Sequence, residues 1–347
     1  MKLIKMVTGA LVVPFLVSCG GSKVVTETTP EEMGLNLVKI TEESNNSVLA
    51  GVVYASTKDR LYSRIYGNQS RQNTAQGYCK KAKFAWNALA TLAISPDGSK
   101  LAYMTNINEQ PNVMVRRAAS GGVATQRTFR NVVDMSWGAD ERLYFADSNG
   151  ESSYICSVNA EQGNMVTQLT NGNVNDKNPV TLDGKTIFFT RSSKNGPYVW
   201  SLDRDNGTLT SCAPGYMPCP VPGDPESFYC VRNSSTGRSE IWHVNFVKGQ
   251  ESLLLSDENH SFTHPTLSPD GKWIAVQGNT KSSKDKKENL DIYVVRTDGS
   301  NLTQLTYDSH QDVCPVFSKD GKSIFFISDR GNKKEMYNVW RMNFRME

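Results

Sequence analysis

From about residue 95 to the end of the chain, short apolar runs recur behind a polar corner. Ser268-Pro269-Asp270-Gly271 precedes Trp273-Ile274-Ala275-Val276, Ser95-Pro96-Asp97-Gly98 precedes Leu101-Ala102-Tyr103, and Ser318-Lys319-Asp320-Gly321 precedes Ile324-Phe325-Phe326-Ile327. Looser copies place Leu182-Asp183-Gly184-Lys185 before Ile187-Phe188-Phe189, Gly138-Ala139-Asp140 before Leu143-Tyr144-Phe145, and Gly223-Asp224 before Phe228-Tyr229-Cys230. Proline presets φ for the second position of a turn, aspartate suits the third, and glycine takes φ > 0 at the exit, so the polar motif predicts a hairpin corner. The run behind each corner is continuously apolar rather than alternating, which predicts a strand covered by protein on both faces.

Anchored at Leu101, Leu143, Ile187, Phe228, Ile274 and Ile324, the units are spaced by 42, 44, 41, 46 and 50 residues. Each unit offers a third strand with an aromatic or apolar centre, such as Tyr198-Val199-Trp200, Ile241-Trp242-His243, Ile292-Tyr293-Val294 and Val339-Trp340-Arg341. A short polar outer strand then closes on Leu-Thr, as at Leu169-Thr170 and Leu305-Thr306. Several strands in a period of about 40 to 50 residues predict an all-β chain, a β-propeller of four-stranded antiparallel blades. Helical solenoids share such periods but need a 3.6-residue apolar pattern, which these units do not show.

The clear repeats run over 85–345, and the ring as a whole is expected over 34–347. The last unit, from about His310 to Phe344, lacks an outer strand, while Leu35 to Thr41 matches the outer strand Asn301 to Thr306. Residues 35–41 are therefore expected to complete the final blade, joining both ends of the ring in one sheet and removing two exposed edges. Gly51-Val52-Val53-Tyr54 and Arg60 to Tyr66 read as a worn blade without a corner. The count is thus six or seven blades, with seven preferred.

Ahead of the ring, Lys2 and Lys5 open a segment that is mostly apolar from Leu3 to Val17, too short to span a bilayer comfortably. Small residues before Cys19 predict processing, so residues 1–18 read as a signal peptide and residues 19–33, rich in Gly, Ser, Thr, Glu and Pro, as a flexible tether. The net charge of +3 falls to +1 without Lys2 and Lys5, which gives no support to a polyanion-binding reading, and no nucleic-acid partner is expected. The basic run Lys281 to Lys287, broken by serines and Asp285, reads as a solvated hairpin tip.

Two resemblances add to this reading. Leu16-Val17-Ser18-Cys19 resembles the lipobox of bacterial lipoproteins, which implies that Cys19 is diacylated and becomes the mature amino terminus. With Gly20 behind it, the resemblance implies lipid anchoring at the outer membrane, on a face left undetermined. The unit Pro265 to Val276, with Asp291 to Gly299 and Leu302 to Thr306, resembles the TolB-type, WD-like propeller repeat. Similar repeats occur in the propellers of dipeptidyl-peptidase-type enzymes and oligogalacturonate lyases. For TolB-type proteins the resemblance implies a place in envelope complexes, with a partner segment docked at the ring.

Candidate chemistry is sparse. Corner aspartates such as Asp97, Asp183, Asp270 and Asp320 are expected to serve their own turns. Four histidines occur, His243, His260, His264 and His310. His260 and His310 hold equivalent places ahead of Pro265 and Pro315, so adjacent blades are expected to present them on one rim. The residues before the inner-strand prolines, Asn178, His264 and Cys314, with Cys219 before Pro220, are candidate channel or rim binding positions. By the lyase resemblance a metal would be held by clustered histidines and a glutamine; Gln311 follows His310, but a closely spaced histidine pair is missing. No CxxC spacing or acidic calcium loop is present, and no metal or cofactor is expected. Without a Gly-x-Ser-x-Gly elbow, a peptidase is not expected either. Cys212 and Cys219 flank the connection between two repeats and are the candidate disulfide in an exported chain, the alternative being small buried thiols. The reading is a non-enzymatic, lipid-anchored scaffold of the cell envelope that binds a protein partner. The alternative is a glycan-binding or glycan-active propeller.

Overall fold

The computed structural model describes residues 30–42 and 91–345, apart from 108–109, 131, 149–151, 164, 172–173, 282–287 and 332–336. The signal segment, Cys19, the worn-blade strands within 51–66 and most of the basic run lie outside the described residues. A 3-10 helix spans Pro30–Leu35, followed by β1 (Val38–Lys39). Blade 1 holds β2 (Leu92–Ile94), β3 (Lys100–Ile107), β4 (Gln110–Arg117) and β5 (Thr125–Gln126). Blade 2 follows with β6 (Val132–Trp137), β7 (Arg142–Ser148), β8 (Ser153–Asn159) and β9 (Thr167–Gln168). Blade 3 contains β10 (Asp176–Val180), β11 (Thr186–Ser193), β12 (Gly196–Asp203) and β13 (Leu209–Pro214). In blade 4 come β14 (Tyr216–Val221), β15 (Asp224–Asn233), β16 (Ser239–Asn245) and β17 (Gln250–Leu255). Blade 5 has β18 (Phe262–Leu267), β19 (Trp273–Lys281), β20 (Glu288–Arg296) and β21 (Thr303–Gln304). Blade 6 has β22 (Asp312–Phe317), β23 (Ser323–Ser328) and β24 (Asn338–Asn343), with β1 as its outer strand.

The described residues therefore form six blades. Inner strands β2, β6, β10, β14, β18 and β22 pack side by side in cyclic order, with β22 returning to β2. At that last seam Thr91 Oγ1 and Cys314 Sγ lie 3.7 Å apart.

The corners form as their residues dictate. Ser268 Oγ donates to Asp270 Oδ1 at 2.6 Å, the same oxygen accepts from Lys272 N, and Gly271 takes φ 71°. Ser95 with Asp97 and Ser318 with Asp320 repeat this, and Thr181 replaces serine beside Asp183. Hydrogen bonds from these hydroxyls hold Asp97, Asp270 and Asp320 below the usual carboxylate range. The looser corner of blade 2 has Gly138 where blades 1, 5 and 6 have serine and blade 3 has threonine. A Cβ there would sit 2.6 Å from Asp140 Oδ1, 2.7 Å from the Tyr144 ring and 2.9 Å from Thr181 of the next blade, so the corner and the seam together exclude a side chain.

Outer strands close by one recurring bond. Thr128, Thr170 and Thr306 each accept, through Oγ1, the N–H of a third-strand residue: Val113, Ile155 and Ile292. Thr41 does the same for Val339 N at 2.9 Å, and its hydroxyl donates to Asn338 Oδ1 at 2.6 Å. Val38 pairs with Arg341 and Lys39 with Trp340, so the N-terminal strand completes blade 6 as its match to the blade 5 outer strand predicts. One boundary moves. Residues 30–33, read as the end of a tether, belong to the 3-10 helix, and Glu32 within it is fully buried. A carboxylate held by partners overrides the polar composition that suggested a tether.

Thr41→Val keeps the shape of the side chain but leaves Val339 N and Asn338 Oδ1 without their hydroxyl partner. The expected cost is about 1–3 kcal/mol, matched by Thr306→Val, in urea unfolding of the chain. A Thr41→Val protein as stable as the parent would contradict closure by this strand.

Candidate functional site: the histidine rim and the inner belt

The innermost strands all run from the loop rim toward the corners, so equivalent residues come to one level of the ring. Four blades kink there: Asn178, Met217, His264 and Cys314 have φ of 47°, 52°, 54° and 55°, each at a break in the register with the second strand. A left-handed residue followed by proline turns the backbone N–H away from its own sheet. For three of them the neighbouring blade accepts it. Asn178 N donates to Asp134 Oδ2 at 2.8 Å, Met217 N to Thr190 Oγ1 at 3.0 Å, and Cys314 N to Gln277 Oε1 at 3.2 Å. Asn178 adds Nδ2 to Asp134 and accepts from Thr190, and His264 Nδ1 lies 3.2 Å from Thr263 Oγ1.

Asn178, His264 and Cys314 were expected to line the channel or its rim. They are together at one level, yet each is buried, and the bonds of Asn178 and Cys314 tie one blade to the next. In blade 4 the equivalent residue is Met217 before Pro218, not Cys219 before Pro220, because the kink falls two residues earlier. Cys212 and Cys219 are not joined: Cys212 sits half-buried on the outer strand β13, while Cys219 is buried on the innermost strand β14. Burial pushes the Cys219 thiol up to about 12, as expected of a packed thiol.

Asp134 is the belt member that sequence reasoning missed. Its blade has no proline at this place to mark it. The carboxyl is fully buried, Oδ1 has no hydrogen-bond partner among the described residues, and burial pushes its pKa up to about 7 against bonds from Asn178 and Ala146. Lys177, beside Asn178, is also buried, and burial drives its pKa well below the ordinary lysine value.

At the rim, His260 and His310 do stand in loops leading into adjacent blades. His260 Nδ1 lies 2.7 Å from Asp257 Oδ1, which also accepts from Asn259 N and His260 N. His310 Nδ1 lies 3.4 Å from Asp308 Oδ2, and His310 N donates to Asp308 Oδ1. The His260 ring is thus oriented by an acid of its own loop, and the His310 ring lies beside one without a ring hydrogen bond to it. The Asp308 contact raises the pKa of His310, against partial burial. Gln311 is braced too, donating Nε2 to Asn289 Oδ1 and N to Asp329 Oδ1. His243 lies elsewhere, on β16 against Tyr229, where burial lowers its pKa.

Behind the rim lies a cluster that no local pattern announces. Arg330 Nη2 reaches Glu32 Oε1 at 3.2 Å, Asp308 Oδ2 at 2.9 Å and Asp312 Oδ2. All four side chains are at most 5% exposed. The three carboxylates lie within 4.8 Å of one another, and the guanidinium occupies the place a metal ion would take. Removing such a charge from a buried network costs about 3–5 kcal/mol.

No family model matches the chain. It is 24% identical over 216 residues to the uncharacterized peptidase YuxL of Bacillus subtilis, covering 58% of this chain and 31% of that protein. The chain spans less than half the length of the curated relatives it matches. Among solved structures, TolB from Acinetobacter baumannii superposes with a TM-score of 0.56 at 16% identity, over 72% of this chain and 64% of that one. The gluconolactonase XC5397 of Xanthomonas campestris gives 0.54 at 14% identity, over 74% and 87%. The chain has the β-propeller fold that TolB has.

A carboxyl whose pKa is raised in the fold contributes stability below its ordinary pKa and loses it as pH rises through the raised one. Asp134→Asn keeps an acceptor for Asn178 and removes that loss. The variant is therefore expected to melt higher than the parent at pH 8 and not at pH 4. A lower melting temperature for Asp134→Asn at pH 8 would count against a strained buried carboxyl.

Proposed function

We propose that the chain is a binding scaffold of the cell envelope that holds a protein partner on its loop rim. The observation that supports this is the inner belt. Positions that would line a ligand channel are instead spent on bonds between blades, so recognition falls to the loops where His260, His310 and their neighbours differ from blade to blade. A TolB-like propeller fits a protein-interaction role and a cell-envelope location. Anchoring through a lipid on Cys19 belongs to the same proposal and rests on the lipobox resemblance alone.

A second reading, a glycan-active or sugar-derived substrate enzyme, is favoured by the hydrogen-bonded Asp257–His260 pair, since an imidazole held by a carboxylate is a ready proton acceptor. The gluconolactonase with the same fold keeps it in view.

Photo-crosslinking separates the two. A crosslinking amino acid at Asn195 or Asn259 on the rim, in cells making the full chain, is expected to yield one discrete adduct with an envelope protein. The same probe at Lys272 on the corner face should yield none. Equal labelling from both faces, or sugar lactone or oligosaccharide turnover that is lost in a His260→Ala/His310→Ala protein, would overturn the scaffold reading.

A further inference from the structure

Ring closure and the buried ion cluster meet at one place. Glu32 comes from the 3-10 helix that leads into β1, and its Oε1 also accepts from Tyr307 N at 2.9 Å. Asp308 and His310 come from the loop between β21 and β22, and Asp312 opens β22. Arg330 follows β23, with its guanidinium 5.5 Å over the Phe326 ring and Nε donating to Ser328. Asp329, next to it, faces His310 and accepts from Gln311 N. Besides the β1–β24 pairing and the Thr41 bonds, the N-terminal segment is therefore tied to blade 6 by a guanidinium shared among three buried carboxylates.

One cation cannot balance three carboxylates in a buried site, so the cluster is at ease only while protons make up the difference. Asp312 Oδ1 has no hydrogen-bond partner among the described residues. We propose that this cluster is a proton-set latch on the ring: with Asp312 protonated and His310 charged the N-terminal segment is held, and as both protons leave, the segment releases more readily from blade 6.

The titration behaviour agrees with the geometry. Burial pushes Asp312 up to about 7 in spite of Arg330. The contact with Asp308 raises His310. Both are raised in the closed form, so both contribute stability at low pH that is lost as pH rises, Asp312 from the ordinary carboxylate range up to about 7 and His310 above its ordinary value. Asp308 acts in the opposite sense. Its burial alone would raise it, but His310 and Arg330 hold it lowered, so its contribution is lost only as pH falls below the ordinary carboxylate range. Closure should be tightest in mild acid and loosen through neutrality. Losing the two protons leaves the cluster two charges more negative.

Hydrogen exchange of the full chain, read by mass spectrometry and corrected for intrinsic rates, tests this. The amides of residues 30–42 and of β24 are expected to open on the order of tenfold more at pH 8 than at pH 5.5, relative to β7 and β8. Asp312→Asn and His310→Gln should each flatten that ratio. Equal opening at both pH values, greater opening at pH 5.5, or a ratio kept in both variants would overturn the latch. The result is independent of whether the rim binds a protein or a sugar.

Discussion

A ring of sheets has no loose end when strands from both ends of the ring share one sheet. In this chain the last unit supplies three strands in succession, and the fourth comes from the other end of the described chain, where Val38 pairs with Arg341 and Thr41 caps Val339. The segment leading into the closing strand also carries Glu32 to Arg330. An open ring would expose two sheet edges and three buried carboxylates together, so the ring and its ion cluster are expected to form cooperatively.

The interior and the rim divide the work. At the belt, left-handed residues before proline release backbone donors that neighbouring blades accept, which welds blades at the cost of an open channel lining. At the rim the same inner strands begin, and the loop residues there bond within their own turns, as Asp257 does, or to other parts of the ring, as Asp308 and Gln311 do. His260 and His310 both lie at that rim, each beside an acid of its own loop.

Much of this was legible in the chain because it is local. Ser-Pro-Asp-Gly builds its corner from four adjacent residues, and the likeness of residues 35–41 to Asn301 to Thr306 gave away the closing strand. The aromatic position shared by Trp200, Trp242 and Trp340 also reads as packing, with Arg191 and Arg232 stacked over the first two and the third buried. The belt was legible only in part. Tyr216 to Val221 offers two prolines, and which of them follows the kink depends on pairing with β15 rather than on spacing. Asp134 lacks a proline altogether. The ion cluster was hidden for a different reason: Glu32 and Arg330 are 298 residues apart, and no local pattern joins them.

The ends of the ring share one sheet, with Val38 opposite Arg341 and Lys39 opposite Trp340. The most direct measurement is an engineered disulfide: Val38→Cys with Arg341→Cys, at directly paired positions, oxidised in the full chain and mapped by peptide mass spectrometry. Paired strands bring such residues within bonding distance. The account predicts an intramolecular bond formed nearly completely, with a higher melting temperature that reverts on reduction. A pair that stays reduced, or that bonds only between molecules, would contradict it.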